Sequence, residues 1–361
     1  MLFILTVRLI VNQIKGISMN KLNKKWLFAA SIISLSISSA YALNASTPVA
    51  ESTKPVTEQL VNTMTKLFGT HDGYRSNHAK GIVVLGDFTP AKTAASLTKA
   101  AHLQTTKSPV IVRFSDATGV PTIPDADGNA FPKGIAIRFT LPDSTTTDIV
   151  SISTNGFPAA TPEDFLGLLN AVAASGADAT KPAPKPAPIE TFLETHPAAK
   201  AFVTMPKLPP VSFATQGFYG VNAFKFTNAK GETHYGRYRI MPVKGQQFLS
   251  AEAAKKTTPN YLFEDLPKRL AKKPVQYKLS VQLADKTDNV NDATAVWPDS
   301  RKQVLLGTLT LKTVDADGVK FEKATMFNPL TLVDGIEASE DPILLARPAA
   351  YAVSYGRRLN K

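Results

Sequence analysis

From residue 81 to residue 326 the chain is dominated by short runs rich in Val, Ile, Phe and Tyr, each bounded by Gly, Pro or Asp. GIVVLGDF (81–88), SPVIVRFS (108–115), GIAIRFTL (134–141) and TDIVSI (147–152) form a first group. GFYGVNAFKFTN (217–228), THYGRYRIMP (233–242), VQYKLSVQLA (275–284), QVLLGTLTLKTV (303–314) and VKFEKATM (319–326) form a second. Such runs read as strands. Turn residues recur between them in hairpin-like fashion and few intervals read as a strand–helix–strand unit, so neighbours are expected to pair mainly antiparallel. A sheet with so many strands removes its exposed edges by closing on itself. The expected class is therefore α+β: an antiparallel sheet closed into a barrel, with helices around it.

Helical spacing marks a few places. Val56, Leu60, Val61, Met64 and Leu67 share a face, which predicts a helix over 56–68. AKTAASLTKAAHL (91–103) reads as another. Thr161 is a good N-cap, followed by Pro162, Glu163 and Asp164 and an apolar run to Gly176. The stretch ADATKPAPKPAP (177–188) must be an extended loop. It is read as an excursion within one domain spanning 56–361.

Residues 1–42 carry Arg8, Lys15, Lys21, Lys24 and Lys25 and no acid. Their basic start, the apolar run at 26–36 and the small-x-small site Ala40-Tyr41-Ala42 read as a secretory signal peptide, with Met19 as the expected true start. A retained anchor would need a longer apolar span. Residues 43–55 are a polar linker. Without the leader's five cations the formal charge of +12 falls to +7, spread over scattered lysines, so neither nucleic acid nor a membrane is an expected partner. The absence of cysteine excludes disulfides, zinc–thiolate sites and thiol catalysis. Export without disulfides suits the bacterial periplasm.

Two motifs carry chemistry. In the last twenty-one residues Tyr351 follows Arg347 by four, one helical turn. A guanidinium beside a phenol favours the phenolate, and a phenolate is one of the few side chains that can hold ferric haem iron. The same spacing also suits a surface arginine stacked on a tyrosine. The second motif is RSNHAKG (75–81). His78, at a strand start, could move protons near neutral pH, as peroxide cleavage requires; it could equally be structural. His71 and His102 read as surface or cap residues, His196 as a helix-end residue and His234 as a strand residue, with no metal-ligand spacing among them.

RSNHAKG together with VIVRFSD (110–116) resembles the distal side of the haem catalase family. FNPLTLVDGIEASEDPILLARPAAYAVSYGRRL (327–359) resembles that family's proximal segment. YGVNAFKFTNAKGETHYGRYR (219–239), YLFEDLPKRL (261–270) and AVWPDSRKQVLLGTLTL (295–311) fit in the same order, so the resemblance covers about residues 57–359. It implies an eight-stranded barrel with surrounding helices and a haem b cofactor. It further implies His78 as distal acid/base, Ser115 as the partner that sets its tautomer, Tyr351 as proximal iron ligand with Arg347 as its charge partner, and Arg75, Arg113 and Arg358 as partners of the haem propionates. In an ungapped match Ile152 and Ser153 stand where the family has an Asn-Asn pair. Asn155 is the expected substitute through a shift in register, or else a turn residue beside Gly156. Val112, Ile152 and Phe157 are candidates for an apolar distal lining.

Compared with full catalases, the mature chain is expected to be without the long N-terminal arm and the helical C-terminal extension, a pattern similar to the smaller catalase-related peroxidases. The expected activity is haem-dependent peroxidase turnover with a small organic electron donor, with weak or no catalase activity, possible association as a homodimer, and no nicotinamide cofactor. A true catalase or a hydroperoxide-rearranging enzyme is the alternative among enzymes; a haem carrier or sensor is the alternative of another class. A carrier has no use for a distal base, so the His78–Ser115 pair argues for catalysis.

Overall fold

A computed structural model describes residues 53–104, 106–176 and 185–360. The leader at 1–42, residues 43–52 of the linker and most of the Pro-Ala loop (177–184) lie outside the described residues. In chain order the helices are α1 (Val56–Phe68), α2 (Pro162–Gly176), α3 (Pro188–Thr195), α4 (Pro197–Thr204), α5 (Ala251–Ala254), α6 (Tyr261–Leu270), α7 (Gly318–Ala324) and α8 (Pro342–Leu359). The strands are β1 (Gly81–Pro90), β2 (Ser108–Ser115), β3 (Gly134–Thr140), β4 (Thr146–Ile152), β5 (Phe218–Tyr219), β6 (Phe224–Thr227), β7 (Thr233–Pro242), β8 (Val275–Leu283), β9 (Gln303–Val314) and β10 (Ile336–Ala338).

All pairings are antiparallel. The order β1-β2-β3-β4-β5-β7-β8-β9 returns to β1, because β7 also pairs with β8. Eight strands thus close a barrel, and β6 and β10 extend it sideways from β7. Alternation along each strand decides what faces in. Val112 and Phe114 of β2, Ile135, Ile137 and Phe139 of β3, and Leu279 and Val281 of β8 fill the interior. Phe114 stacks on Phe213 at 5.1 Å between ring centroids, and Phe88 meets Phe139 edge-on at 5.3 Å. The barrel is therefore a packed core and not a pore. Gly86 sits at a bulge against β9, where a Cβ would overlap the Thr310 carbonyl.

The opposite face of β1–β4 points outward, and α1, α2 and α8 lie over it, packed on one another. Thr161 caps α2 through a hydrogen bond from the Asp164 amide to its Oγ1 at 3.1 Å. Asp341 caps α8, accepting from the amides of Ile343 and Leu344 at 2.9 and 3.4 Å, with Pro342 in the first turn.

Four expectations need correction. Residues 91–103 form two short 3-10 turns, Ala94–Ser96 and Ala101–Leu103, because Lys99 breaks away to donate its amide to Thr227. Residues 217–228 divide into β5 and β6 around Asn222. The segment at 319–326 is not a strand but α7, started at Asp317-Gly318 with the Phe321 amide on the Asp317 carbonyl. His102 is not at the surface: it is 1% exposed, packed 4.8 Å from the Phe139 ring.

Candidate active site

Cross-strand register builds the floor of the site. Gly81, Ser115, Gly134 and Ile152 lie side by side on β1 to β4, and Val83, Arg113, Ala136 and Val150 form the next row. Both rows share the outward face. Over them lies a cavity of about 260 Å³, roofed by Leu60, Val61 and Met64 of α1, Phe165 of α2, and α8. Ile152 and Phe157 line it as expected, but Val112 does not: it is fully buried in the barrel interior.

His78 enters the cavity from the loop before β1. Its backbone is left-handed (φ 54°), a conformation costing on the order of 1 kcal/mol in a non-glycine residue. The turn is held by the His78 amide donating to Asn77 Oδ1 at 3.0 Å and by the Ser76 amide donating to Ser354 Oγ of α8 at 3.2 Å. Nδ1 lies 3.1 Å from Ser115 Oγ, which leaves Nε2 free. The ring has room only because residue 134 is glycine. A Cβ there would stand 2.7 Å from Ser115 Oγ and 2.9 Å from His78 Nδ1. Burial, then the charges of Arg113 and Arg75, lower the imidazole pKa to about 3, so it is neutral throughout the physiological range.

On α8, Arg347 and Tyr351 meet as the spacing required. Arg347 donates through Nε and Nη2 to the Tyr351 oxygen at 3.1 and 2.9 Å. Its Nη1 donates to Asn222 Oδ1 at 2.8 Å, and Asn222 Nδ2 donates to Asp341 Oδ2 at 2.8 Å. The fork is thus tied back to the cap of its own helix. Asp341-Pro342 before an apolar run was a readable cap signal. Asn222 gave none, because its partners lie more than a hundred residues away.

Arg75, Arg113 and Arg358 also border the cavity. Arg75 and Arg358 each donate to the Thr325 carbonyl, at 3.0 and 2.8 Å, and Arg358 donates to the Lys323 carbonyl at 3.0 Å. Arg113 donates to the His78 carbonyl at 2.8 Å and pairs with Glu322 of α7. Burial and the neighbouring cation Arg113 lower the pKa of both Arg75 and Arg358, the latter to about 10. Three guanidiniums thus stand together against one carboxylate.

Asn155 does not line the cavity. The outward alternation of β4 ends at Ile152. The chain then bends away, with the Ser153 amide on the Lys133 carbonyl and Ser153 Oγ accepting from the Lys133 amide. A shift of register would have to break both bonds. Among the expected site residues, His78, Ser115, Arg75, Arg113, Arg347, Arg358 and Tyr351 converge on one cavity, and Asn155 stays outside.

A family model described as Catalase matches residues 59–361. The chain belongs to the catalase family. It is similar to a catalase-related peroxidase of Mycolicibacterium paratuberculosis, 33% identical over 301 residues, covering 82% of this chain and 93% of that protein. A catalase-related peroxidase of Synechococcus elongatus is 31% identical, over 83% of this chain and 88% of its own. A catalase of Pseudomonas syringae pv. syringae is 29% identical, over 78% of this chain but 57% of its own length. Among solved structures, a fungal catalase and catalase A of Saccharomyces cerevisiae each superpose with a TM-score of 0.69 at 22% identity. They cover 84% and 83% of this chain, and 63% and 64% of their own. They share its barrel.

Catalases are haem-dependent, and the residues of this cavity fit such a group. The two N–H groups aimed at the Tyr351 oxygen leave it placed as an acceptor. The surplus of positive charge among Arg75, Arg113 and Arg358 matches a planar group that carries carboxylates. Among the described residues no cluster of His, Cys, Asp and Glu could hold a metal ion elsewhere.

Proposed function

We propose that this chain is a haem b peroxidase, reducing hydrogen peroxide or an organic hydroperoxide at the expense of a small organic electron donor, with weak or no dismutation of peroxide. The observation that carries this reading is the meeting of two pairs at one cavity: the imidazole His78 with Ser115, and the phenol Tyr351 with Arg347. Haem, when bound, supplies an iron that exchanges electrons with peroxide and donor. Tyr351 Oη would hold the iron, and Arg75, Arg113 and Arg358 would take the carboxylates. Arg347 fixes the phenol oxygen through its fork.

The neutral His78 can accept a proton at Nε2 from one peroxide oxygen and return it to the other. Heterolysis of an O–O bond needs both transfers. Ser115, bound to Nδ1, fixes the ring so that Nε2 serves. Ile152 and Phe157 keep water out and offer peroxide no hydrogen bond. With Asn155 outside the cavity and Ile152 and Phe157 on its wall, the distal side lacks the asparagine expected to help orient peroxide, which disfavours use of a second peroxide as reductant.

The decisive experiment gives haem-loaded protein hydrogen peroxide together with a dye donor, and follows oxygen release and dye oxidation. Fast dye oxidation with little oxygen is expected. Oxygen release as fast as dye oxidation would make the chain a true catalase, and neither would make it a carrier. The leader-like start supports export to the periplasm, which cell fractionation checks. Association as a homodimer is part of the same proposal and is checked by analytical sedimentation.

A further inference from the structure

Behind the floor of the site lies a cluster of charges with no contact to the cavity. Lys80, Asp116, Asp125 and Lys133 are each at least nine-tenths buried. Lys133 Nζ donates to Asp116 Oδ1 at 2.5 Å and to the Asp125 carbonyl at 2.7 Å. Lys80 pairs with Asp125 and donates to the Ile123 and Pro259 carbonyls at 2.8 and 3.1 Å. Asp125 Oδ2 accepts the Leu262 amide of α6 at 2.7 Å. The Asp116 amide donates to the Lys80 carbonyl at 3.1 Å, and Asp116 Oδ2 has no partner.

Four buried charges are a costly way to hold a loop, since an apolar cluster of similar volume is often as stable. Their places in the chain point to another use. Lys80 lies two residues after His78, Asp116 one after Ser115, and Lys133 one before Gly134. The three residues that shape the imidazole's seat therefore each have a close sequence neighbour in the cluster. The same segments carry the strained φ of His78 and the glycine that leaves the ring its room.

We propose that the quartet Lys80, Asp116, Asp125 and Lys133 is the positioning device of His78, fixing the three backbone segments that present His78, Ser115 and Gly134 to the cavity. The quartet touches neither peroxide nor haem; it acts through the seat of the ring. The cation Lys133 also opposes protonation of the imidazole, less strongly than Arg113 and Arg75 of the cavity wall. Removing Lys133 takes away the cation that favours the ionised Asp116, so the carboxyl one residue from the serine that orients the ring loses its ion pair and tends to protonate. The role in peroxide cleavage rests on the function proposed above; the coupling to His78 does not.

The test uses the full chain with Lys133→Met, Asp116→Asn and the conservative Lys133→Arg, and two readouts. In nitrogen-15 spectra of histidine-labelled protein purified without haem, the His78 signals are assigned by their loss in His78→Gln. Lys133→Met is expected to mix the two ring tautomers and to shift the His78 titration to higher pH. In haem-loaded protein, the second-order rate of peroxide consumption should fall 10- to 100-fold, roughly the loss seen when supporting partners of a site residue are removed. Lys133→Arg should restore both, and the haem spectrum should stay unchanged throughout. A lower melting temperature with unaltered His78 signals and rate overturns the proposal, since a merely structural cluster would give that result. If the single variants do not fold, Asp116→Leu with Lys133→Met removes both charges together, and its His78 tautomer and proton affinity decide the matter in the same way. If the wild type takes up no haem, the functional reading fails, and the nitrogen-15 spectra still judge the quartet.

Discussion

The two halves of the site are built in opposite ways. The Tyr351 side is local. One helix carries the phenol, its guanidinium partner and the capping Asp341; from elsewhere in the chain only Asn222 and the Val150 carbonyl of β4 hold the guanidinium. The His78 side is assembled. Its ring comes from a strained turn, its hydrogen-bond partner from β2, its clearance from β3, and its surrounding charges from all three. A helical side survives small shifts of the barrel, because its parts move together. An assembled side depends on strand register, where a one-residue slip turns every side chain over.

Removing the reactive group on each side should separate the two most strongly. Tyr351→Phe takes away the oxygen on which the Arg347 fork converges. Haem absorbance of the loaded protein is expected to be lost or displaced, and peroxide turnover to fall by on the order of a thousandfold. His78→Ala should keep the absorbance and slow peroxide consumption by about 10²- to 10⁴-fold in stopped-flow measurements. An unchanged spectrum in Tyr351→Phe would remove the proposed iron ligand. Fast turnover in His78→Ala would remove the acid/base role.

This contrast also explains what could be read from the sequence. Alternation marked nearly all the barrel strands, spacing marked α1 and the Thr161 cap with Pro162 marked α2, because those elements are fixed by local pattern. Arg347 and Tyr351 were legible for the same reason. Segment 319–326 was misread because its Val-Lys-Phe alternation mimics a strand, while an Asp-Gly start makes it a helix. Asn155 lies outside the cavity because the shift in register that would bring it in is opposed by the bonds between Ser153 and Lys133 that hold the bend, and the sequence shows no sign of those bonds. Asn222, Gly134 and the burial of His102 were invisible locally. Each depends on what another strand or loop brings against it.

Smaller changes sharpen the comparison. Asn222→Ala cuts the link between the Arg347 fork and Asp341, and leaves Asp341 half-satisfied in a buried place. A stability loss of about 1–3 kcal/mol is expected from the unpaired groups, with about 10-fold weaker haem retention when the loaded protein is challenged with apomyoglobin. Gly134→Ala tests the other side. Its Cβ would push on Ser115 and the imidazole, so peroxide consumption should slow about tenfold with haem retention unchanged. Gly356→Ala on α8, where a Cβ meets nothing within 4 Å, is the matched control. It should be neutral or stabilising by up to about 1 kcal/mol. Equal effects of the two glycine changes on turnover would mean that clearance around the ring is unimportant.

Acid should act on the assembled side through histidine. His78 and His102 both have pKa values lowered by burial, from 6.5 to about 3 and about 4. The unfolded chain therefore binds protons that the folded chain refuses, and the stability these rings contribute is complete above about pH 6.5 and drains away as the pH falls toward 3. Asp116 works against this trend. Burial raises its pKa from 3.8 to about 7, so its contribution is complete below about pH 4 and is lost as the pH rises through 7. Melting temperature followed from pH 8 to pH 4 should therefore fall more gently in wild type than in Asp116→Asn, where nothing offsets the histidines. It should fall most gently in His102→Gln, which removes one histidine and leaves Asp116 in place. Parallel curves for the three proteins would mean that neither His102 nor the buried carboxylate is held away from its solution behaviour.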